Sequence, residues 1–125
     1  MAKARTGEKI KIGILGGSVT KGHGVGESQR WATLYGNWWR DTFDIEVEVV
    51  NGAVGATVSE YLETCFAEHI PEDVDIVLIE LAINDQRLER NARSYENLMR
   101  ALLDLPNHPA VINLQVSSQI KLYRM

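Results

Sequence analysis

Cysteine occurs once in the 125 residues, at Cys65, which excludes an internal disulfide and any cysteine-rich zinc site. Positive charge is scarce as well. Thirteen lysines and arginines face 17 aspartates and glutamates, a net charge of −4, so there is no basic field to attract a phosphate backbone and nucleic acid is excluded as a partner. No apolar run approaches the roughly 20 residues of a membrane span. The first nine residues carry positive charge, but Gly13 and Gly16-Gly17 interrupt the apolar run behind them. No signal peptide is therefore expected, and a cytoplasmic chain is the default. Repeats and low-complexity linkers are missing too. With 45% hydrophobic residues the chain suffices for one core and is too short for two, so residues 1–125 read as a single domain or a piece of one.

What is present centres on residues 10–26. Ile10, Ile12, Ile14 and Leu15 form an apolar run suited to a buried strand, and Gly16-Gly17 break it at a turn that carries Ser18. A serine where a central strand of an α/β sheet ends lies at the edge where such folds bind ligands, which makes Ser18 a candidate nucleophile. The same turn also reads as a plain strand-to-helix connection with Ser18 or Thr20 as N-cap. Phosphate and dinucleotide loops are excluded by register: Lys21 is followed by Gly22 where a Walker loop needs Ser or Thr, and Gly22, Gly24 and Gly26 have the wrong spacing for Gly-x-Gly-x-x-Gly. Thr20 stands where the Gly-x-Ser-x-Gly elbow requires its last glycine. Neither a cofactor nor a metal is expected.

Trp31, Leu34, Tyr35 and Trp38 recur at helical spacing through residues 27–41, with Trp39 beside them, and predict a helix packed by this stripe on the sheet. Ile45, Val47, Val49 and Val50 form a second strand, with Glu46 and Glu48 on a wet face that suggests an edge position. Residues 51–57 are a second small-residue loop. Thr57 and Glu60 have the spacing of a capping box, opening a helix through Val58, Tyr61, Leu62, Cys65 and Phe66, with Cys65 on its apolar face and Pro71 closing it. Residues 74–81 are nearly all apolar and β-branched, as in a central parallel strand, and lead into Ala82-Ile83-Asn84-Asp85. A third helix runs through Tyr95, Leu98, Met99, Leu102 and Leu103 before a fourth strand over residues 110–116. Strands alternating with helices imply an α/β fold with a parallel, doubly wound sheet.

In such a sheet every strand-to-helix loop lies at one edge, so Ser18, Gly55 and Asn84 belong to the same side. The amides of Ser18 and Gly55 and the Asn84 carboxamide are three donors suited to a developing oxyanion. Together the residues resemble the SGNH or GDSL hydrolases. Gly16-Gly17-Ser18-Val19 matches the first block, with Gly17 where aspartate is usual. Residues 51–57 match the second, with Gly55 as the oxyanion glycine and Gly52 as the fallback. Ala82-Ile83-Asn84-Asp85 matches the third, with alanine in place of glycine. The resemblance implies a three-layer α/β/α, flavodoxin-like fold and esterase, lipase or acylhydrolase chemistry on a small-molecule ester or acylated carbohydrate, with Ser18 attacking and Ser18, Gly55 and Asn84 lining the oxyanion hole. Gly17, His23, Gly52 and Asp85 are the expected substrate contacts.

The family's closing Asp-x-x-His block has no counterpart in these residues, so the chain reads as a family member truncated before the block that supplies the general base. His69 and His108 are expected at the opposite edge, roughly 20 Å from Ser18. His23 is on the correct edge but too close in sequence to Ser18 for triad geometry, and suits substrate contact or loop packing. Asp85 either caps its turn and steadies Asn84 or orients a base supplied from elsewhere. Two other readings stand beside the hydrolase: a non-catalytic module binding a small ligand or carbohydrate through the same loops, and an incomplete domain that self-associates through its fourth strand.

Overall fold

The computed structural model describes residues 2–85 and 88–116. A short N-terminal helix, α1 (Ala2–Arg5), precedes β1 (Ile10–Gly16), α2 (Ser18–Lys21), α3 (Trp31–Phe43), β2 (Val47–Asn51), α4 (Ser59–Cys65), β3 (Ile76–Glu80), α5 (Glu89–Leu103) and β4 (Ala110–Asn113). The four strands form one parallel sheet in the order β2-β1-β3-β4. Register pairs Ile10 with Val47, Ile12 with Ile76, and Ile76 with Ala110, so β1 and β3 are central and β2 and β4 are the edges. The strand directions, the edge position of β2 and the central position of β3 are those read from the sequence.

Alternation along β1 and β3 divides the core into two layers. Ile10, Ile12, Ile14, Ile76 and Leu78 pack with Ala32 and Trp39 of α3 on one face. Leu15, Val77 and Ile79 pack with Leu62 of α4 and Leu98 and Leu102 of α5 on the other. The result is three layers, α/β/α, with helices on both faces of a sheet whose central strands are buried apart from Lys11 on β1.

Three local readings need correction. Of the expected stripe, Trp31 and Tyr35 pack against the core, but the fully buried residues of α3 are Ala32, Gly36 and Trp39, and Leu34 and Trp38 are each 53% exposed. Gly36 causes the rotation: a Cβ there would lie 2.6 Å from Val49 Cγ2, so the helix approaches β2 through its smallest residue and the heavier ring of Trp38 turns outward. Thr57 does not cap α4. Its hydroxyl donates to the Val54 carbonyl within the preceding loop, Val58 holds the N-cap position, and the helix starts at Ser59. Cys65 is half-buried, on a helix that ends there and continues as a 3-10 turn over Phe66–Glu68.

Candidate active site

At the C-terminal edge of the sheet the chain leaves β1, β2 and β3 through three loops that are bonded to one another. Val54 N–H donates to the Gly16 carbonyl at 3.0 Å, joining the second loop to the first. Asn51, the last residue of β2, donates from Nδ2 to the Thr20 carbonyl at 3.2 Å and accepts from Ala53 N–H at 3.1 Å, fixing the start of its own loop. The third loop reaches both others through Asn84.

Asn84 is half-buried, and its Nδ2 donates to the Thr57 carbonyl at 2.9 Å. The same nitrogen lies against Gly17: a Cβ built on Gly17 would be 2.0 Å from it. The carboxamide thus fills the space a side chain at position 17 would need, directly beside Ser18. A primary amide has two N–H donors, and the Thr57 bond engages one of them.

Ser18 opens α2, whose first amides have no intrahelical acceptor by construction. Its side chain is exposed, and among the described residues its hydroxyl has no hydrogen-bond partner. The turn is closed by Lys21 N–H on the Gly17 carbonyl at 2.9 Å and Gly22 N–H on the Ser18 carbonyl at 3.1 Å, with Gly22 in the left-handed region at φ 84°. Gly55 is exposed on the second loop, next to the Val54 amide that binds Gly16, and its own amide has no acceptor among the described residues. Gly52 differs. Its amide donates to the Ile14 carbonyl at 2.8 Å as a continuation of the sheet ladder, so Gly55 is the glycine of this loop with an uncommitted donor.

Asp85 is a clamp between loops. Its Oδ1 accepts from Ser59 N–H at 2.9 Å and its Oδ2 from the Ser59 hydroxyl at 2.6 Å, so a carboxylate from the third loop caps α4 from 26 residues away. Ser59 is fully buried, and its hydroxyl also lies 3.4 Å from the Asn91 carbonyl at the start of α5. Sequence spacing could not pair Asp85 with Ser59, but the vacant capping role once Thr57 is bonded to Val54 points to it.

The histidines lie apart from Ser18 in different ways. His23 is exposed, and its backbone amide donates to the Ser18 carbonyl at 3.2 Å. His69 is not at the far edge: its carbonyl packs on Gly52, where a Cβ would lie 2.4 Å from it, just beyond the end of β2. Its Nε2 pairs with the Tyr61 hydroxyl at 2.9 Å. His108 is at the opposite edge as expected, with Nδ1 3.2 Å from the Leu103 carbonyl. Among the described residues no imidazole is bonded to Ser18, and no cluster of three or more His, Cys, Asp or Glu side chains is arranged to hold a metal ion.

Two titratable side chains, Glu80 and Tyr95, are placed on the elements behind these loops. Glu80, at the end of β3, is 3% exposed and accepts from the Thr20 hydroxyl at 3.1 Å. Tyr95 of α5 donates to Asn113 Oδ1 at 2.5 Å, and its phenol is pushed up to about 12, first by burial and then by the negative charges of Asp85 and Glu80. Sequence reading passed over Glu80, although an acidic residue inside a run as apolar as Ile76–Leu81 was a visible signal.

Residues 14–120 match the model of the GDSL-like lipase/acylhydrolase family. No curated protein sequence matches the chain. Among solved structures, a two-domain esterase active on acetylated mannans, co-crystallised with mannopentaose, superposes with a TM-score of 0.86 at 29% identity, covering 90% of this chain and 32% of that one. The psychrotrophic esterase EstA from Pseudoalteromonas sp., inhibited by monoethylphosphonate, superposes at 0.66 with 17% identity, covering 85% of this chain and 59% of that one. The chain thus spans about a third of the length of the first of these enzymes and under two thirds of the second.

Proposed function

The chain belongs to the GDSL-like lipase/acylhydrolase family, and from that membership we propose that it carries the nucleophile and oxyanion donors of a serine ester hydrolase acting on a small ester or an acylated carbohydrate. The observation that carries the reading is the Asn84 carboxamide seated on Gly17 beside Ser18, with one N–H on Thr57 and one left for a ligand. The solved esterase active on acetylated mannans favours an acetylated sugar as the substrate class.

In this reading Ser18 Oγ attacks the ester carbonyl and its proton passes to a base. The carbonyl oxygen becomes negative and accepts from the Ser18 and Gly55 amides and from Asn84 Nδ2. Collapse expels the alcohol as it takes back the proton held by the base, and a water deprotonated by the same base then releases the acyl group from Ser18 as the carboxylic acid. The donors are fixed in advance because the loops that carry them are bonded to one another, so little reorganisation accompanies attack. The reading needs a general base, and among the described residues no imidazole is bonded to Ser18: His69 Nε2 pairs with Tyr61 and His108 Nδ1 lies at the Leu103 carbonyl. Gly17 and His23, on the loop that carries Ser18, are the proposed substrate contacts, and Asp85 steadies the third loop that carries Asn84 by bonding Ser59.

The test supplies the missing base. In excess imidazole, hydrolysis of an acetate ester by the wild type should rise above the rate of the same imidazole buffer without protein and return to it in Ser18→Ala, and a fluorophosphonate probe should label only the wild type. Equal hydrolysis by both proteins, with no labelling, would remove the esterase reading and leave a module that binds a small ligand or carbohydrate through the same loops. A second reading, self-association, is favoured by β4: it is a sheet edge on which Ile112 is 39% exposed and Ala110 and Asn113 are exposed as well. Light scattering across a hundredfold concentration range tests it. Concentration-dependent growth that Ile112→Lys abolishes supports pairing through this edge, and a constant monomer mass rules it out.

A further inference from the structure

Glu80 is the one acidic side chain in the central strand β3, and its burial contributes nothing obvious to the fold. Its neighbours in sequence, Val77, Leu78, Ile79 and Leu81, are all core residues. One carboxyl oxygen, Oε1, is buried without a partner, a state that costs stability and that an apolar residue would avoid. The other oxygen accepts from Thr20, which is fully buried.

Thr20 is gripped from two strands. Its hydroxyl goes down to Glu80 on β3 and its carbonyl accepts from Asn51 at the end of β2. Gly16, the register partner of Glu80 on β1, makes the approach feasible, because a Cβ there would lie 2.6 Å from Thr20 Oγ1. Thr20 is two residues from Ser18 within the single turn of α2. A four-residue turn cannot hold its own pitch, since one hydrogen bond does not offset the ordering of its residues.

We infer that Glu80 is a positioning residue: through Thr20 it fixes the α2 turn and so sets the direction of the Ser18 hydroxyl and amide. The role rests on the reading of Ser18 as nucleophile. It requires an acceptor at position 80 and a hydroxyl at position 20, and it does not require charge.

Two pairs of variants test it. Thr20→Val keeps shape and removes the hydroxyl, and Glu80→Leu removes the acceptor; Thr20→Ser and Glu80→Gln restore each function. With imidazole and an acetate ester, the first pair should lose at least about tenfold in kcat with KM within about twofold, and the second pair should stay within about threefold of wild type. Independently of turnover, hydrogen exchange at the Lys21 and Gly22 amides, which close the turn, should speed at least about tenfold in the first pair and recover in the second, while Val77 and Ile79 keep their protection. If the wild type shows no turnover dependent on Ser18, the esterase reading fails and the exchange data alone decide the inference. Thr20→Val overturns it by leaving exchange at Lys21 and Gly22 unchanged, by losing protection across the whole sheet, or by keeping full kcat in a protein that turns over.

Discussion

Gly17→Ala should disable the site with little harm to the fold. The backbone at position 17 has φ −96° and ψ −155°, an extended conformation open to alanine, so no strain arises from the main chain. The methyl group would instead sit 2.0 Å from Asn84 Nδ2 and 3.0 Å from its Cγ. Ordinary contact begins near 3.4 Å, so the amide must withdraw by more than about 1 Å, away from the position it holds at 2.9 Å from the Thr57 carbonyl. Losing one neutral hydrogen bond costs about 1 kcal/mol, or a few degrees in Tm for a chain of this size. Misplacing an oxyanion donor by about 1 Å costs on the order of 10²-fold in rate. The prediction is therefore a split: imidazole-assisted ester hydrolysis down about 100-fold, with Tm within about 5 °C of wild type. The side-chain NH₂ resonances of Asn84, assigned by their loss in Asn84→Ala, should move in the same variant whether or not the protein turns over. Gly26→Ala is the matched control, since a Cβ there meets nothing within 4 Å and its backbone, at φ −59° and ψ 146°, suits alanine. Wild-type rate and unmoved Asn84 resonances in Gly17→Ala would refute the placement of Asn84 on which the site depends.

Asp85→Ala removes the acceptor for both donors of fully buried Ser59 and should destabilise the protein by about 3 kcal/mol, read as a Tm loss of about 10 °C, with Asp85→Asn recovering roughly half. Because the Tyr95 phenol is raised to about 12 by burial and by Asp85 and Glu80, its neutral form stabilises the fold fully below pH 10, and that contribution is lost as pH rises from about 10 through about 12. Absorbance at 295 nm should show a late-titrating phenol that Tyr95→Phe abolishes, together with a flatter fall of Tm over that window; a phenol that titrates near 10 contradicts the burial argument. Gly36→Ala forces a methyl group into contact with Val49 and should cost about 1–3 kcal/mol, whereas Leu34→Ala on the outward side of the same helix should cost under about 1 kcal/mol, both read by chemical denaturation.

The sheet was legible because strand chemistry is local. The runs at residues 10–15 and 74–81 are rich enough in Ile, Leu and Val to read as buried strands despite Lys11, Asp75 and Glu80, and Glu46 and Glu48 marked β2 as an edge. The meeting of three loops at one edge followed from parallel topology alone. Half of the α3 stripe, Trp31 and Tyr35, was read correctly; Leu34 and Trp38 were misplaced because hydrophobic periodicity weighs a tryptophan above a glycine, while the packing favours Gly36, which lets the helix come close to Val49. Capping of α4 was misread for a related reason. Thr57 and Glu60 satisfy a rule written for neighbours in sequence, and the cap comes from Asp85, 26 positions beyond Ser59.

These failures share a cause that bears on how the site is held. Two of the blocks are weak by themselves: Gly17 replaces an expected aspartate and Ala82 replaces an expected glycine. The anchors run between blocks instead. Asn84 joins the third loop to Gly17 and Thr57, Asp85 joins it to Ser59, Val54 joins the second loop to Gly16, and Asn51 and Glu80 hold Thr20 from two strands. A side chain at position 17 and the Asn84 carboxamide would compete for one volume, so the glycine that looks like a defect of the first block is what admits the key residue of the third. Substitutions at such anchors act on a loop other than their own, and their effects should couple: Gly17→Ala and Asn84→Ala together should cost little more than either alone, because both remove the same donor from beside Ser18. Additive losses in that double-mutant cycle would mean that Gly17 acts on Ser18 by a route that does not pass through Asn84.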